Sequence, residues 1–201
     1  MAEFAEEVRD GRHERSERSR LAIVKAALAL VRETGVAPSG DEIAERAGLS
    51  RRTVFRLFHD MESLNAAATE HQQAEVVRRF PPPMDADRPL DQRIAAVVKH
   101  RAGVYELIMP MRRVAESMRH ESPSVARNLE ATRDGFRMHL EFIFGDALTG
   151  LASSELEAVL QTLELITSWH GWRALRDDQK CSAKKAARVM ETGVRRLLLG
   201  G

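Results

Sequence analysis

Apolar positions recur at helical spacing along most of this chain, and no segment alternates as a strand would. From Ser19 to Glu33, Ile23, Ala27 and Leu30 follow at i, i+4 and i+7, with Val24, Ala26 and Val31 widening the stripe. That predicts a first helix, closed at Thr34-Gly35, where glycine supplies a left-handed cap. Ser39-x-x-Glu42 has capping-box spacing and opens a second helix whose buried face is Ile43, Ala44 and Ala47. Gly48 permits a sharp turn, and Ser50 caps a third helix, Arg51 to about Phe58, with Val54 and Phe58 pointing inward.

Beyond this point, Asp60 caps a helix expected over Met61 to about Arg79, and the prolines of FPPPMDADRP force a loop. A helical pattern runs from Asp91 to about Leu107, with an interruption or kink expected at Pro110 and a further piece from Met111 to His120. Ser122-Pro123 starts the next helix, which carries Val125, Leu129, Phe136, Leu140 and Ile143 and stops near Gly145. Ser154-x-x-Glu157 predicts a second capping box, opening a helix extended to about Leu175. The last helix begins near Ser182. The class is all-α, with about nine helices.

The final stripe, Ala186, Val189, Met190, Gly193, Val194, Leu197 and Leu198, is regular enough to raise the question of what covers it. An internal core contact is one answer. The favoured expectation is a homodimeric four-helix seam through Leu156, Leu163, Met190, Gly193, Val194 and Leu197, with close approach at Gly193.

Charge sharpens the picture at one place. The chain has 31 basic and 30 acidic residues, a net charge of +1, so bulk charge does not attract it to nucleic acid. Yet between Arg46 and His59 there are four arginines and no acid. The outward face of the third helix offers Arg51, Arg52, Thr53, Phe55 and Arg56, behind a capped helix and a glycine turn. That is the layout of a helix-turn-helix whose second helix enters the major groove. Residues 1–18, rich in both acids and arginines, are expected to be a flexible or marginally helical arm, either a solvated tail or one that follows the DNA backbone.

Other classes find less support. There is no G-x-S-x-G, P-loop, G-x-G-x-x-G or H-E-x-x-H pattern, and the seven histidines are scattered, so no catalytic role, metal or cofactor is expected. A small helical enzyme using His139 and His170 is the weakest alternative. A non-specific architectural DNA binder would need a broadly basic surface, which the balanced charge count argues against. One cysteine, Cys181, fits a reducing cytoplasm, and no apolar run has the length or freedom from charge of a membrane span.

The stretches RLAIVKAALALVRETG and EIAERAGLSRRTVFRLF, followed by a helix with Glu62 and Leu64 near its start, resemble the N-terminal domain of the TetR family of bacterial transcriptional regulators. The resemblance covers about residues 19–64; beyond them it is one of layout. It implies an arm (1–18), a helix-turn-helix domain (19–64) and a helical effector-binding and dimerisation domain (65–201). It also implies a homodimer on a palindromic double-stranded operator, with repression relieved by a small molecule. On this resemblance Ser39 and Gly40 lie where the family touches phosphate, and Ser50, Arg51, Arg52, Thr53 and Arg56 face the groove. Where the family commonly has tyrosine, histidine and lysine, this chain has Phe55, Leu57 and Met61, none of which can hydrogen-bond a phosphate through its side chain. Family position and composition suggest an effector cavity walled by Tyr105, Met109, Met118, Phe136, His139, Phe142, Trp169 and Trp172, although ordinary core packing is the favoured reading of each taken singly. Arg133, Arg137 and His170 are candidates to fix a polar or acidic group there, with the surface or the dimer seam as equal alternatives.

Overall fold

The computed structural model describes residues 2–200, with side chains from His13 onward, and among them every regular element is helical. The nine α-helices are α1 (Ala2–Thr34), α2 (Gly40–Ala47), α3 (Arg51–Leu57), α4 (Met61–Arg79), α5 (Leu90–Ser117), α6 (Pro123–Phe144), α7 (Ser153–Thr167), α8 (Trp169–Arg173) and α9 (Ala183–Leu199). A short 3-10 turn at Asp146–Leu148 and a wide, π-type turn at Ala174–Asp178 complete the list. The backbone of residues 2–18, where a mobile or marginally helical arm was expected, is the first part of α1.

Two compact units emerge, and the division does not follow the chain. The first comprises residues 1–74 and 110–129, the second 75–109 and 130–201. Residues 65–74 and 110–129 pack in the same unit as the helices that precede Leu64.

In the first unit, Ile23, Ile43, Val54, Phe58 and Leu64 are all but completely buried in one cluster. Local signals explain its geometry. Ser39 accepts from the Glu42 backbone N–H at 3.3 Å, while the Glu42 carboxylate accepts from the Ser39 N–H at 2.7 Å. This reciprocal capping box satisfies two donors that a helix start otherwise leaves free. Gly48 takes φ +66°, so the chain reverses without the penalty a Cβ would bring. Asp60 accepts from the Ser63 N–H at 2.8 Å and fixes the start of α4. The Glu62 carboxylate accepts from the Ser122 hydroxyl and the Ser124 N–H, both at 2.5 Å, tying α4 to the first turn of α6.

The second unit is built on Ile94, Val97, Tyr105, Ile143, Phe144, Leu163, Trp172, Met190 and Val194. Three local expectations fail. Helix α5 runs on through Pro110 as one element, although the proline removes one N–H from the ladder. Helix α7 starts at Ser153 after an uncapped Ala152, and Glu157 binds Arg137 and Gln161 instead of closing a box. The helix expected to reach Leu175 breaks at Ser168, whose extended backbone and hydroxyl, accepting from the Gly171 N–H at 2.9 Å, start α8.

The stripe assigned to a dimer seam is largely internal. Leu163, Met190 and Val194 are at most 1% exposed within this single chain, where α7 packs on α9. A Cβ on Gly193 would meet Ile166 at 3.3 Å, so the close approach it allows is between these two helices. Leu156 and Leu197 are partly buried against the same core. The apolar side chains left outward are Leu165 on α7 and Val189 and Leu199 on α9.

Candidate nucleic-acid interface

Helix α3 is seven residues long, and its two faces are clearly separated. Val54 and the capping Phe58 are 1% exposed, anchoring one side to α1 and α2. Ser50, Arg51, Arg52 and Arg56 are exposed on the other, with Thr53 and Phe55 half-buried between. Ser50 accepts from the Thr53 N–H at 3.1 Å, so the helix starts at a fixed residue and its side chains leave at fixed angles. No acidic residue lies in α3. Its N-terminal end therefore presents unsatisfied N–H groups and guanidinium groups together.

The arginines do not all serve the outer face. Arg46 is held by Glu33 through paired contacts of 2.8 and 2.6 Å, raising the guanidinium's pKa and lowering that of Glu33 through the hydrogen bond. Arg51 is bound to Asp41 at 2.8 Å and lies 5.5 Å from the centre of the Phe55 ring. Both partners of that ion pair are solvent-exposed, so a phosphate can compete for Arg51. Arg52 and Arg56 make no ion pair with any described residue.

Phe55 does not reach outward. Its ring covers Gly40, so closely that a Cβ there would come within 2.9 Å of it, and Met61 lies beside them. Thus Gly40, Phe55 and Met61 form a small apolar joint between the starts of α2 and α4 and helix α3. Sequence reasoning missed Arg20, which donates to the Leu57 carbonyl and stacks over Phe58 at 4.2 Å, closing the end of α3. No spacing rule connects residues so far apart in sequence.

Of the effector-wall candidates, Tyr105, Phe136, Trp169 and Trp172 do come together. Tyr105 meets the other three rings at centroid distances of 6.0–6.2 Å and donates its hydroxyl to the Thr167 carbonyl at 2.7 Å. Met109 packs against the same core, and His139 lies in the same unit, donating from Nε2 to the Pro83 carbonyl at 2.6 Å. Phe142 stands 51% exposed on α6, apart from the cluster, and Met118 belongs to the other unit. Arg137 is saturated by Glu141, Glu157 and Glu164, Arg133 pairs with Asp134, and His170 is exposed. Among the described residues no group of His, Cys, Asp or Glu is placed to hold a metal ion, and no helix is long and apolar enough to cross a membrane.

Residues 23–68 match the family model described as bacterial regulatory proteins, tetR family. Solved structures share the fold over nearly the whole chain. A transcriptional regulator from Rhodococcus sp. Rha1 superposes with TM-score 0.69 at 16% identity, covering 90% of this chain and 96% of that one. A tetR-family transcriptional regulator from Streptomyces coelicolor gives TM-score 0.64 at 21% identity, covering 91% and 89%. No curated protein matches the sequence.

Proposed function

We propose, for a chain that carries a TetR-family DNA-binding domain in residues 23–68, a cytoplasmic, ligand-responsive transcriptional regulator, without catalytic activity, that binds a palindromic operator as a homodimer. The observation that carries the reading is the outer face of α3. There Arg51, Arg52 and Arg56 are exposed on a short capped helix that contains no acid, in a chain otherwise balanced in charge. Arg52 and Arg56 suit bidentate contact with guanine O6 and N7, and Arg51, released from Asp41, suits a phosphate. Ser39, Gly40, Ser50, Thr53 and Phe55 frame them. With Phe55, Leu57 and Met61 in place of the usual phosphate ligands, backbone contact falls to the N–H groups at the starts of α2 and α3 and to the arginines.

Dimerisation through α7 and α9 is supported by outward Leu165, Val189 and Leu199, not by the buried stripe first assigned to it. Two copies would present two α3 helices to two half-sites. The second unit, with its aromatic cluster, is the effector domain, and repression relieved by ligand is the mode proposed. A competition gel shift tests the class: one palindromic site should be preferred over bulk DNA by at least about a thousandfold. Equal competition by bulk DNA would support the architectural alternative instead.

A further inference from the structure

Two arginines of α5 are buried in the second unit, and their surroundings differ. Arg93 is 5% exposed and its charge is paired: its Nη atoms donate to both oxygens of Asp146, at 2.5 and 2.8 Å, and to the Ile143 carbonyl at 2.6 Å, leaving only Nε without a partner. Arg101 is 0% exposed, and no described carboxylate pairs with it. Its Nη2 donates to the Phe136 carbonyl at 3.2 Å, and its guanidinium lies 3.4 Å over the Phe136 ring. Its Nε and Nη1 are buried with no acceptor among the described residues.

Buried charges in folded proteins are paired or bound to an ion, because an isolated one forfeits its hydration. A guanidinium stays charged near neutrality, and burial brings this one down only to about 10. It therefore needs an anion that the described chain does not provide.

Its neighbourhood is short of partners in a second way. His100 and His139, with rings 6.1 Å apart, each direct Nε2 at a backbone carbonyl, Phe80 at 3.1 Å and Pro83 at 2.6 Å. Carbonyls only accept, so the neutral rings carry their protons on Nε2. Both Nδ1 atoms are then acceptors, and both are buried without a donor. Burial and the charge on Arg101 hold both histidines below their usual pKa, so they do not add positive charge at neutral pH. Phe136, over which the Arg101 guanidinium lies, belongs in turn to the ring cluster with Tyr105 and the two tryptophans.

From these three features we infer that Arg101 is the anchor of an effector site for an organic carboxylate with a flat apolar body. The acid accepts from the guanidinium at Nη1 or Nε, the two nitrogens without a partner, and its body lies against Phe136 and Tyr105. A hydroxyl on the same molecule, or a water carried with it, supplies the donor that the histidine Nδ1 atoms lack. This inference rests on the reading of the second unit as an effector domain and gives that effector a chemical class.

The test is thermal melting of the full-length protein with benzoate, 3-phenylpropionate and octanoate at millimolar concentration, each beside its amide. At least one acid should raise the melting temperature by several degrees and its amide should not. Arg101→Met should lose the response while melting, without ligand, no lower than the parent, since it removes an unpaired charge. Arg101→Lys keeps the charge but not the planar fork, and should weaken the response at least tenfold in acid concentration. The inference is overturned if no acid stabilises, if acid and amide act alike, or if either variant responds as the parent does. If Arg101→Met does not fold, Arg101→Lys alone decides. Gel shifts with bound DNA separate this from the broader reading: an Arg101-dependent acid that leaves DNA binding unchanged supports the site and contradicts ligand response. A neutral molecule that releases DNA equally from parent and Arg101→Met does the reverse.

Discussion

The Phe55 ring rests on Gly40, leaving no room for even one added carbon on the glycine without displacement of the ring. The first residue of α2 thereby sets the position of a residue in the middle of α3. Gly40→Ala should displace the ring by a few tenths of an ångström and shift Arg51 with it. Operator affinity is expected to fall several-fold while the melting temperature moves by only a few degrees. A large loss of stability with unchanged affinity would show that the joint serves folding alone.

Arg51 pairs with Asp41 and is proposed to exchange that partner for a phosphate. Because the pair is exposed on both sides, it contributes about 0–1 kcal/mol to stability. Asp41→Asn removes both a competitor for Arg51 and a charge that repels phosphate. Binding should tighten and its salt dependence should steepen by up to one phosphate contact, as read from affinity against log salt. Weaker binding would place Asp41 itself in the interface.

Glu62 holds the first turn of α6 through Ser122 and the Ser124 N–H, and the Ser122 bond lowers its pKa most. Glu62→Gln places an amide against one of two donors, and should cost about 1–3 kcal/mol by denaturant titration. A carboxylate held below its unfolded pKa contributes stability above that value, so this contribution should be lost as pH falls below about 4.5.

His100 gives a second acid-sensitive term at higher pH. Burial pushes it from 6.5 down to about 4, so the unfolded chain takes up a proton there before the folded one does. Stability should therefore decline as pH falls from about 6.5 towards 4, and His100→Gln should flatten that limb of the stability profile. An unchanged slope in the variant would remove His100 as its cause.

On α7, Leu163 and Leu165 lie two residues apart with opposite environments, 0% and 65% exposed. Leu163→Ala should cost about 2–5 kcal/mol. Leu165→Glu should leave the fold intact and convert dimer to monomer in sedimentation. A variant that stays dimeric would exclude this face from the seam.

These contrasts also mark what the sequence could and could not disclose. Helices α2 and α3 were legible because their signals are local: Ser39 with Glu42, Gly48, Ser50, and the pair Val54 and Phe58 all lie within twenty residues. The spacing of Leu163, Met190 and Val194 was legible too, but a 3,1 rhythm is the same whether a helix packs on its own chain or on another. Pro110 and Ser168 exchange the rule each suggests: the proline stays inside a helix, while the serine ends one. The roles of Arg20, Glu62 and Arg101 depend on partners 35 or more residues away, and no periodicity encodes those meetings. Nor does composition distinguish Phe142, exposed, from Phe144, wholly buried.

The central claim is sequence-specific reading by α3 in a dimer, and selection of bound fragments from a random DNA pool tests it most directly. The parent protein should recover a palindrome of two half-sites, and Arg51→Ala with Arg52→Ala should lose it, a single base-reading arginine being worth about 1–3 kcal/mol. Recovery of no common motif, or of the same motif by the double variant, would contradict the account.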